Sequence, residues 1–109
     1  MDKEEALKIC KTLGGSFRED NLFGFTVWTC KLPRSGEIRA HADGGRFKLS
    51  ILDKEVYSTD LSYPLGLGMR GSGFEITTLL SKDSKAVIKA WGNTVKFGEV
   101  GNLLYIGVE

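Results

Sequence analysis

The feature that most constrains this fold is an alternating pattern in residues 37–52, interrupted by the pair Gly44-Gly45. Before the pair, apolar residues stand at even positions between charged or polar ones, and after it they stand at odd positions. The apolar positions are Ile38, Ala40, Ala42, Phe47, Leu49 and Ile51. Alternation of this kind is typical of a strand with one buried face. The pattern therefore predicts a β-hairpin whose loop is Gly44-Gly45.

The charges predict the register of this hairpin. A Gly44-Gly45 loop sets Asp43 opposite Arg46 and places the apolar side chains of both strands on one face. A loop one residue earlier keeps the faces but sets Arg39 opposite Lys48, and like charges directly opposite each other destabilise a sheet. We therefore expect the register in which Asp43 faces Arg46.

An N-terminal helix is predicted over residues 2–13. Asp2 is a favourable cap, and the acidic pair Glu4-Glu5 suits the positive end of the helix dipole. Apolar residues recur at helical spacing, at Ala6, Ile9, Cys10 and Leu13. Gly14-Gly15 is expected to end the helix, because glycine readily adopts the left-handed conformation needed there.

Further strands are predicted at residues 23–32, 55–59, 73–80, 93–97 and 102–108. Residues 16–22 are expected to be a polar connection, and residues 33–36 a turn. Residues 81–91 fit either a helix or a strand that follows a turn, and we favour a short helix near 82–91. The segment 102–108 is apolar on both faces, so we expect it to be a central strand.

These elements form one domain over residues 1–109. They predict an α+β fold with a mostly antiparallel sheet of about six or seven strands, an N-terminal helix and a second short helix near 82–91. The chain carries 15 Lys and Arg against 14 Asp and Glu, a net charge of +1. Dedicated nucleic-acid-binding proteins usually have a strong basic excess, so this balance argues against that class. Because no stretch reads as a membrane span or a signal peptide, we expect a cytoplasmic protein without a membrane partner.

A glycine-rich segment, residues 63–73, contains Gly66-Leu67-Gly68-Met69-Arg70-Gly71, which formally matches the dinucleotide-binding pattern G-x-G-x-x-G. That pattern requires a preceding strand, a helix that begins within it and an acidic residue about 20 positions later. Here Pro64 precedes the motif, a strand-like stretch follows it, and the acidic residues Glu75 and Asp83 come too early. We therefore interpret the segment as a long loop between strands.

Long loops in small domains often carry function. This one bears five candidate partner-binding residues: Tyr63, Leu65, Leu67, Met69 and Arg70. Aromatic, Met and Arg side chains are enriched where proteins contact each other. If these side chains are exposed, they form a contact tip for a partner protein. If they fold back, the leucines among them cover the core.

A second candidate surface is the polar side of the 37–52 hairpin. It carries a basic cluster of Arg39, His41, Arg46 and Lys48, with Arg34 nearby. Such a face suits phosphate contacts to RNA or single-stranded DNA. Because acidic Glu37 and Asp43 share it, we expect mainly a solvated sheet face, with nucleic acid or an acidic protein as alternative partners.

Catalytic and metal-binding groups are sparse. His41 is the only histidine, and Cys10 and Cys30 are the only cysteines. In a cytoplasmic protein we expect these cysteines to be free thiols packed as small hydrophobes, with a disulfide as the less favoured alternative. The spacing of these residues matches no zinc site, so we expect neither a metal nor a cofactor. A nucleophilic pair would need His41 beside a cysteine, whereas the alternation places His41 on the polar face. We expect a protein that is not an enzyme.

These expectations favour a small non-enzymatic binding protein that acts by contact with another protein. Inhibitors, immunity proteins and phage anti-defence proteins are of this kind. The alternative is a nucleic-acid-binding module that uses the basic face of residues 37–52. A small enzyme that relies on His41 is a third hypothesis.

Overall fold

Strands make up most of the chain. The computed structural model describes residues 1–109, apart from the side chain of Leu22. Over these residues it has one helix, α1 (Lys3–Thr12), and eight strands. The strands are β1 (Ser16–Leu22), β2 (Phe25–Asp43), β3 (Arg46–Ile51), β4 (Lys54–Asp60), β5 (Leu65–Gly71), β6 (Phe74–Leu80), β7 (Ala86–Val100) and β8 (Leu103–Val108). In the described residues, helix α1 is not long and apolar enough to span a membrane.

All the strands join one sheet, in the order β4-β3-β2-β7-β8-β5-β6, with β1 beside β2. Neighbours are antiparallel except β5 and β8, which run parallel. The predicted α+β fold with a mostly antiparallel sheet and an N-terminal helix is confirmed, although the sheet has eight strands, more than expected. The central position predicted for the last strand is also confirmed, because β8 lies between β7 and β5.

The β2–β3 hairpin has the predicted register. Asp43 pairs with Arg46 and Ala42 with Phe47 around the Gly44-Gly45 loop. Both glycines have positive φ angles, 59° and 75°, as a tight two-residue hairpin loop requires. Because the apolar side chains share one face, Phe47 and its apolar neighbours on β3 are fully buried.

Helix α1 begins and ends where its caps predict. The Asp2 carboxylate accepts a hydrogen bond from the Glu5 backbone N–H at 2.9 Å. Gly14 follows the helix with a φ of 70°, in the left-handed region. The helix buries Ala6 and Ile9 against the sheet.

The cysteines form a disulfide, so the expectation of free thiols is wrong. Cys10 on α1 and Cys30 on β2 are bonded, with their Cα atoms 5.6 Å apart. Both residues are buried, as expected from their apolar surroundings. The sequence placed each cysteine on a buried face but did not reveal that α1 packs against β2 at this point.

Residues 16–22 form strand β1, and the prediction of a polar connection there is wrong. β1 pairs with β2 along its whole length, from Ser16 opposite Lys31 to Leu22 opposite Phe25. The loop between them is Phe23-Gly24, and both residues have positive φ angles, 51° and 81°. The polar character of the segment fits a strand with exposed side chains, which composition alone does not separate from a loop.

Strand β2 continues through residues 33–36, where a turn was expected. Lys31 pairs with Thr94 and Gly36 pairs with Gly92. The chain therefore advances five residues in β2 but only two in β7, so β2 has extra residues between these two pairs. The segment with Pro33 is therefore a bulge, in which a residue without an N–H is tolerated.

The favoured helix near 82–91 is wrong, and the alternative of a strand is confirmed. A turn with a hydrogen bond from Ser84 N–H to Ser81 O (3.0 Å) leads into β7. Ile88 and Ala90 then pack toward the core, while Trp91 is exposed, which is a period of two. Pairing with β2 decides the conformation here, because tertiary contacts outweigh weak local propensity.

The core forms a single cluster between α1 and one face of the sheet, which we call the inner face. Its largest fully buried side chains include Phe47, Leu49, Leu67, Met69, Phe97 and Ile106. Because strands from both ends of the strand order contribute to one cluster, the sheet curves around it. The opposite side of the strands is the outer face.

Candidate interaction surface

The glycine-rich segment is a strand, not a loop. Residues Leu65–Gly71 form β5, which pairs with β6 on one side and with β8 on the other. Leu67 and Met69 point to the inner face and are completely buried. The interpretation of residues 63–73 as a long loop is therefore wrong, and the period of two in this segment is that of a strand.

The first two glycines of the segment lie on the outer face of β5. A Cβ atom on Gly66 would lie 3.1 Å from Leu103 Cδ1, and one on Gly68 would lie 3.2 Å from Tyr105 Cδ2. Side chains of β8 therefore lie across the bare backbone of β5, a known reason for glycine within a strand. After the glycines the chain enters β6 rather than a helix, so the dinucleotide-binding pattern has no phosphate-binding geometry here.

A row of register partners crosses four strands at one end of the sheet. Val100 pairs with Leu103, Leu103 with Gly66, and Gly66 with Leu79. Register partners share a face, so Val100, Leu103 and Leu79 lie in one row on the outer face, with Gly66 between the two leucines. Val100 is 51% exposed and Leu79 is 68% exposed, and Tyr63, just before β5, is 84% exposed. We call Tyr63, Leu79, Val100 and Leu103 the apolar rim.

The apolar rim encloses a groove with a cavity volume of about 830 Å³. Its other lining residues are Pro64, Gly66, Glu99, Gly101 and Asn102. Glu99 is the one charged residue of the described lining. The groove therefore suits an apolar ligand better than a strongly charged one. Gly66 belongs to the lining and contributes no side chain to it.

Further apolar side chains are exposed at the same end of the sheet. β2 starts at Phe25, which is 54% exposed, and the preceding turn residue Phe23 is 99% exposed. Because β2 runs antiparallel to β7, its start lies at the end of β7 that bears Val100. Most of the large hydrophobic side chains that are exposed in the described structure therefore belong to this end of the molecule.

The five predicted partner-binding residues are separated by the strand geometry. Tyr63 lines the groove, whereas Leu65 is half-buried and packs against the core. Leu67 and Met69 are in the core, and Arg70 is exposed on the outer face opposite Gly107 and Glu75. Whether the accessible ones bind a partner stays a prediction.

Sequence reasoning missed Leu79, Val100 and Leu103 as surface residues. The signal was present in the last strand, because residues 103–108 are apolar on both faces while only one face can meet the core. The outward position of Leu79 follows from the alternation in β6. What the pattern did not contain is the order of the strands, which brings these residues into one row.

The basic face of the hairpin is present but largely neutralised. Arg39 donates to Glu37 Oε1 at 2.6 Å, and Lys48 Nζ lies 3.9 Å from Glu55. Arg46 donates to Ser58 Oγ at 2.6 Å. Arg34 is exposed in the β2 bulge, away from this row. Binding of nucleic acid by this face stays a prediction, and the interleaved carboxylates weaken it.

His41 is half-buried on the outer face, between Lys48 on β3 and Val87 on β7. The cysteines are buried on the inner side and bonded to each other, so neither offers a thiolate to His41. Among the described residues, no group of three His, Cys, Asp or Glu side chains is close enough to hold a metal ion.

The geometry thus singles out the apolar rim and its groove as the surface best suited to binding. The features that define it are exposed hydrophobic side chains, a concave floor and a low local charge. No known protein family, curated protein or solved structure matches this chain.

Proposed function

We propose that this chain is a small non-enzymatic binding protein that acts by contact with another protein through the apolar rim. The observation that carries the proposal is the row of exposed hydrophobic side chains around the groove, with Leu79 68% and Tyr63 84% exposed. Exposed apolar side chains grouped on one surface often mark a binding site. We place the function in the class of inhibitors, immunity proteins and phage anti-defence proteins.

The composition of the surface supports a protein partner over a small molecule. The groove is an open concavity rather than an enclosed pocket. Tyr63 combines a large apolar ring with a hydroxyl, which is typical of residues that dominate protein interfaces. The partner we expect offers an apolar ridge or side chain that fits between Tyr63 and Val100.

Site-specific photo-crosslinking tests this proposal. We would replace Tyr63 by benzoylphenylalanine, which keeps an aromatic ring at that position, and irradiate cells that produce the protein. The expected result is an adduct of discrete mass that protease digests and nuclease leaves intact. The double variant Leu79→Asp/Val100→Asp should lose this adduct, because charges in the groove oppose the burial of apolar groups.

The matched control carries the same photoreactive residue at Trp91, an aromatic side chain that is 64% exposed on another part of the sheet. If both positions give the same adducts, the contacts are nonspecific. If Tyr63 gives no protein adduct, or if the adduct survives the two aspartates in a folded variant, the apolar rim is not the interface.

A further inference from the structure

Strand β6 is the last strand on one side of the sheet. Its seven residues, Phe74–Leu80, pair with β5 along one edge. On the other edge, backbone N–H and C=O groups face outward and can extend the sheet by pairing with another strand. The outer strands of this sheet differ in their protection against such pairing.

The other outer strands carry the usual protection. β4 contains Lys54, Glu55 and Asp60, and its pairing with β3 has a bulge. β1 contains Arg18, Glu19 and Asp20. Charged side chains and bulges are the common means by which natural proteins prevent pairing between sheet edges.

β6 has almost none of this protection. Glu75 is its single charged residue, its pairing with β5 runs without a bulge, and it contains no proline. Ile76, Thr77 and Thr78 favour the extended conformation. Ile76 is 38% exposed on the inner side, so apolar surface remains available next to the open edge.

We propose that β6 pairs antiparallel with β6 of a second copy of this chain, so that two sheets become one. The twofold axis passes between the two copies of Thr77, the middle residue of the strand. In this register all seven residues of each strand find a partner. Ile76 then faces Thr78 of the second copy, and Phe74 faces Leu80, which continues the inner face across the junction.

The charge on β6 does not oppose pairing with a second copy in this register. Glu75 lies opposite Leu79 of the other chain, so the two glutamates are not placed against each other. Within each chain, Arg70 on β5 is the register partner of Glu75, so an opposite charge lies on the neighbouring strand. A shift by one residue would place inner-face side chains on the outer face, and larger shifts leave strand residues unpaired.

This inference does not depend on the proposed partner of the apolar rim. The register sets Leu79 of each chain beside Glu75 of the second copy, whereas Leu103 and Val100 of the groove lie on the other side of Leu79, away from the junction. A strand pair is a small interface, and we expect a dimer that forms and dissociates with concentration rather than a permanent one.

Sedimentation velocity over a concentration series tests the proposal. The expected species are the 12.0 kDa chain and a dimer of twice that mass. In the variant Thr77→Lys, two lysines meet at the twofold axis, so the concentration at which half the chains are dimeric should rise by roughly 5-fold or more. Thr77→Glu should have the same effect, and an equal mixture of the two variants should restore dimers, because opposite charges then meet.

Thr26→Lys is the matched control, because it adds the same charge to an exposed threonine of β2. It should dimerise like the unmodified chain. Hydrogen exchange on the unmodified chain gives a second measurement, in which the β6 amides become more protected as concentration rises.

A chain that stays monomeric up to about 1 mM overturns the proposal. So does a dimer that Thr77→Lys and Thr77→Glu leave unchanged, or one that the mixture fails to restore. Such a result leaves the apolar rim untouched as an interaction surface, because the crosslinking experiment addresses that surface separately.

Discussion

At the scale of single residues, the pair Trp28 and Glu19 shows how a strand position sets the chemistry of a side chain. The two are register partners between β2 and β1, and the Trp28 indole N–H donates to Glu19 Oε2 at 2.9 Å. This hydrogen bond holds the pKa of Glu19 below its ordinary value of 4.5, and the nearby Lys3 ammonium acts in the same direction against partial desolvation. A lowered pKa means that the ionised carboxylate is the form that the fold stabilises.

We predict a pH-dependent signal from this pair. The stabilisation is fully present above pH 4.5 and is lost as the pH falls through the lowered pKa of Glu19. In a Trp91→Phe background, the remaining Trp28 fluorescence should change with a midpoint below 4.5. Glu19→Gln, which keeps an acceptor oxygen but does not titrate, should abolish that transition. A midpoint at or above the ordinary value, or a transition that persists with glutamine, contradicts the assignment.

At the scale of elements, glycines determine how closely strands approach. On β5 the outward glycines receive side chains from β8, whereas Gly71 at the end of the strand faces inward. A Cβ atom on Gly71 would lie 2.9 Å from Ala90 Cβ and 2.9 Å from Phe74 Cε1. Ala90 is held by the pairing of β7 with β2, so it cannot move away without disturbing the sheet.

We therefore predict that Gly71→Ala lowers the free energy of unfolding by about 1–3 kcal/mol, the usual cost of an overpacked core. Gly98→Ala is the matched comparison, because its Cβ would meet nothing closer than Thr26 O at 3.8 Å. We expect that change to stay within about 0.5 kcal/mol of the unmodified protein. Urea denaturation of the three proteins measures the difference, and equal effects of the two alanines would show that the Gly71 contact is not limiting.

At the scale of the whole molecule, the disulfide joins the helix to the sheet. Cys10 and Cys30 are 20 residues apart, and the closed loop contains the whole of β1. Helix α1 is only ten residues long, too short to be stable alone in water, so it depends on its packing and on this covalent link.

Reduction of the disulfide should lower the free energy of unfolding by about 3 kcal/mol, because the unfolded chain regains the entropy of the open loop. The measurement is denaturation with and without reductant, with the change in mass on reduction showing that the bond was present. If reductant under denaturing conditions changes neither the mass nor the stability of this protein, Cys10 and Cys30 are not bonded to each other. The location of the protein stays a prediction, and the disulfide does not favour the expected cytoplasmic one, because disulfides persist mainly in oxidising compartments.

The sequence by itself determined the parts of the fold that depend on neighbours in the chain. The cap at Asp2 and the glycines after the helix defined α1, and alternation with charge placement defined the β2–β3 register down to Asp43 opposite Arg46. These features are local, because a two-residue loop fixes which residues face each other. The same reasoning placed His41 on the outer face and the cysteines in buried positions.

Only the tertiary structure decided the rest. Pairing with β2 makes residues 86–92 a strand, and parallel pairing with β8 turns the glycine-rich segment into a strand within the sheet. The row from Val100 to Leu79 exists because the parallel pairing of β5 with β8 sets the β5–β6 and β7–β8 hairpins side by side. Such contacts depend on the order of the strands in the sheet. A periodic pattern does not contain this order, because an alternating segment can pair with any other strand of similar length that buries the same face.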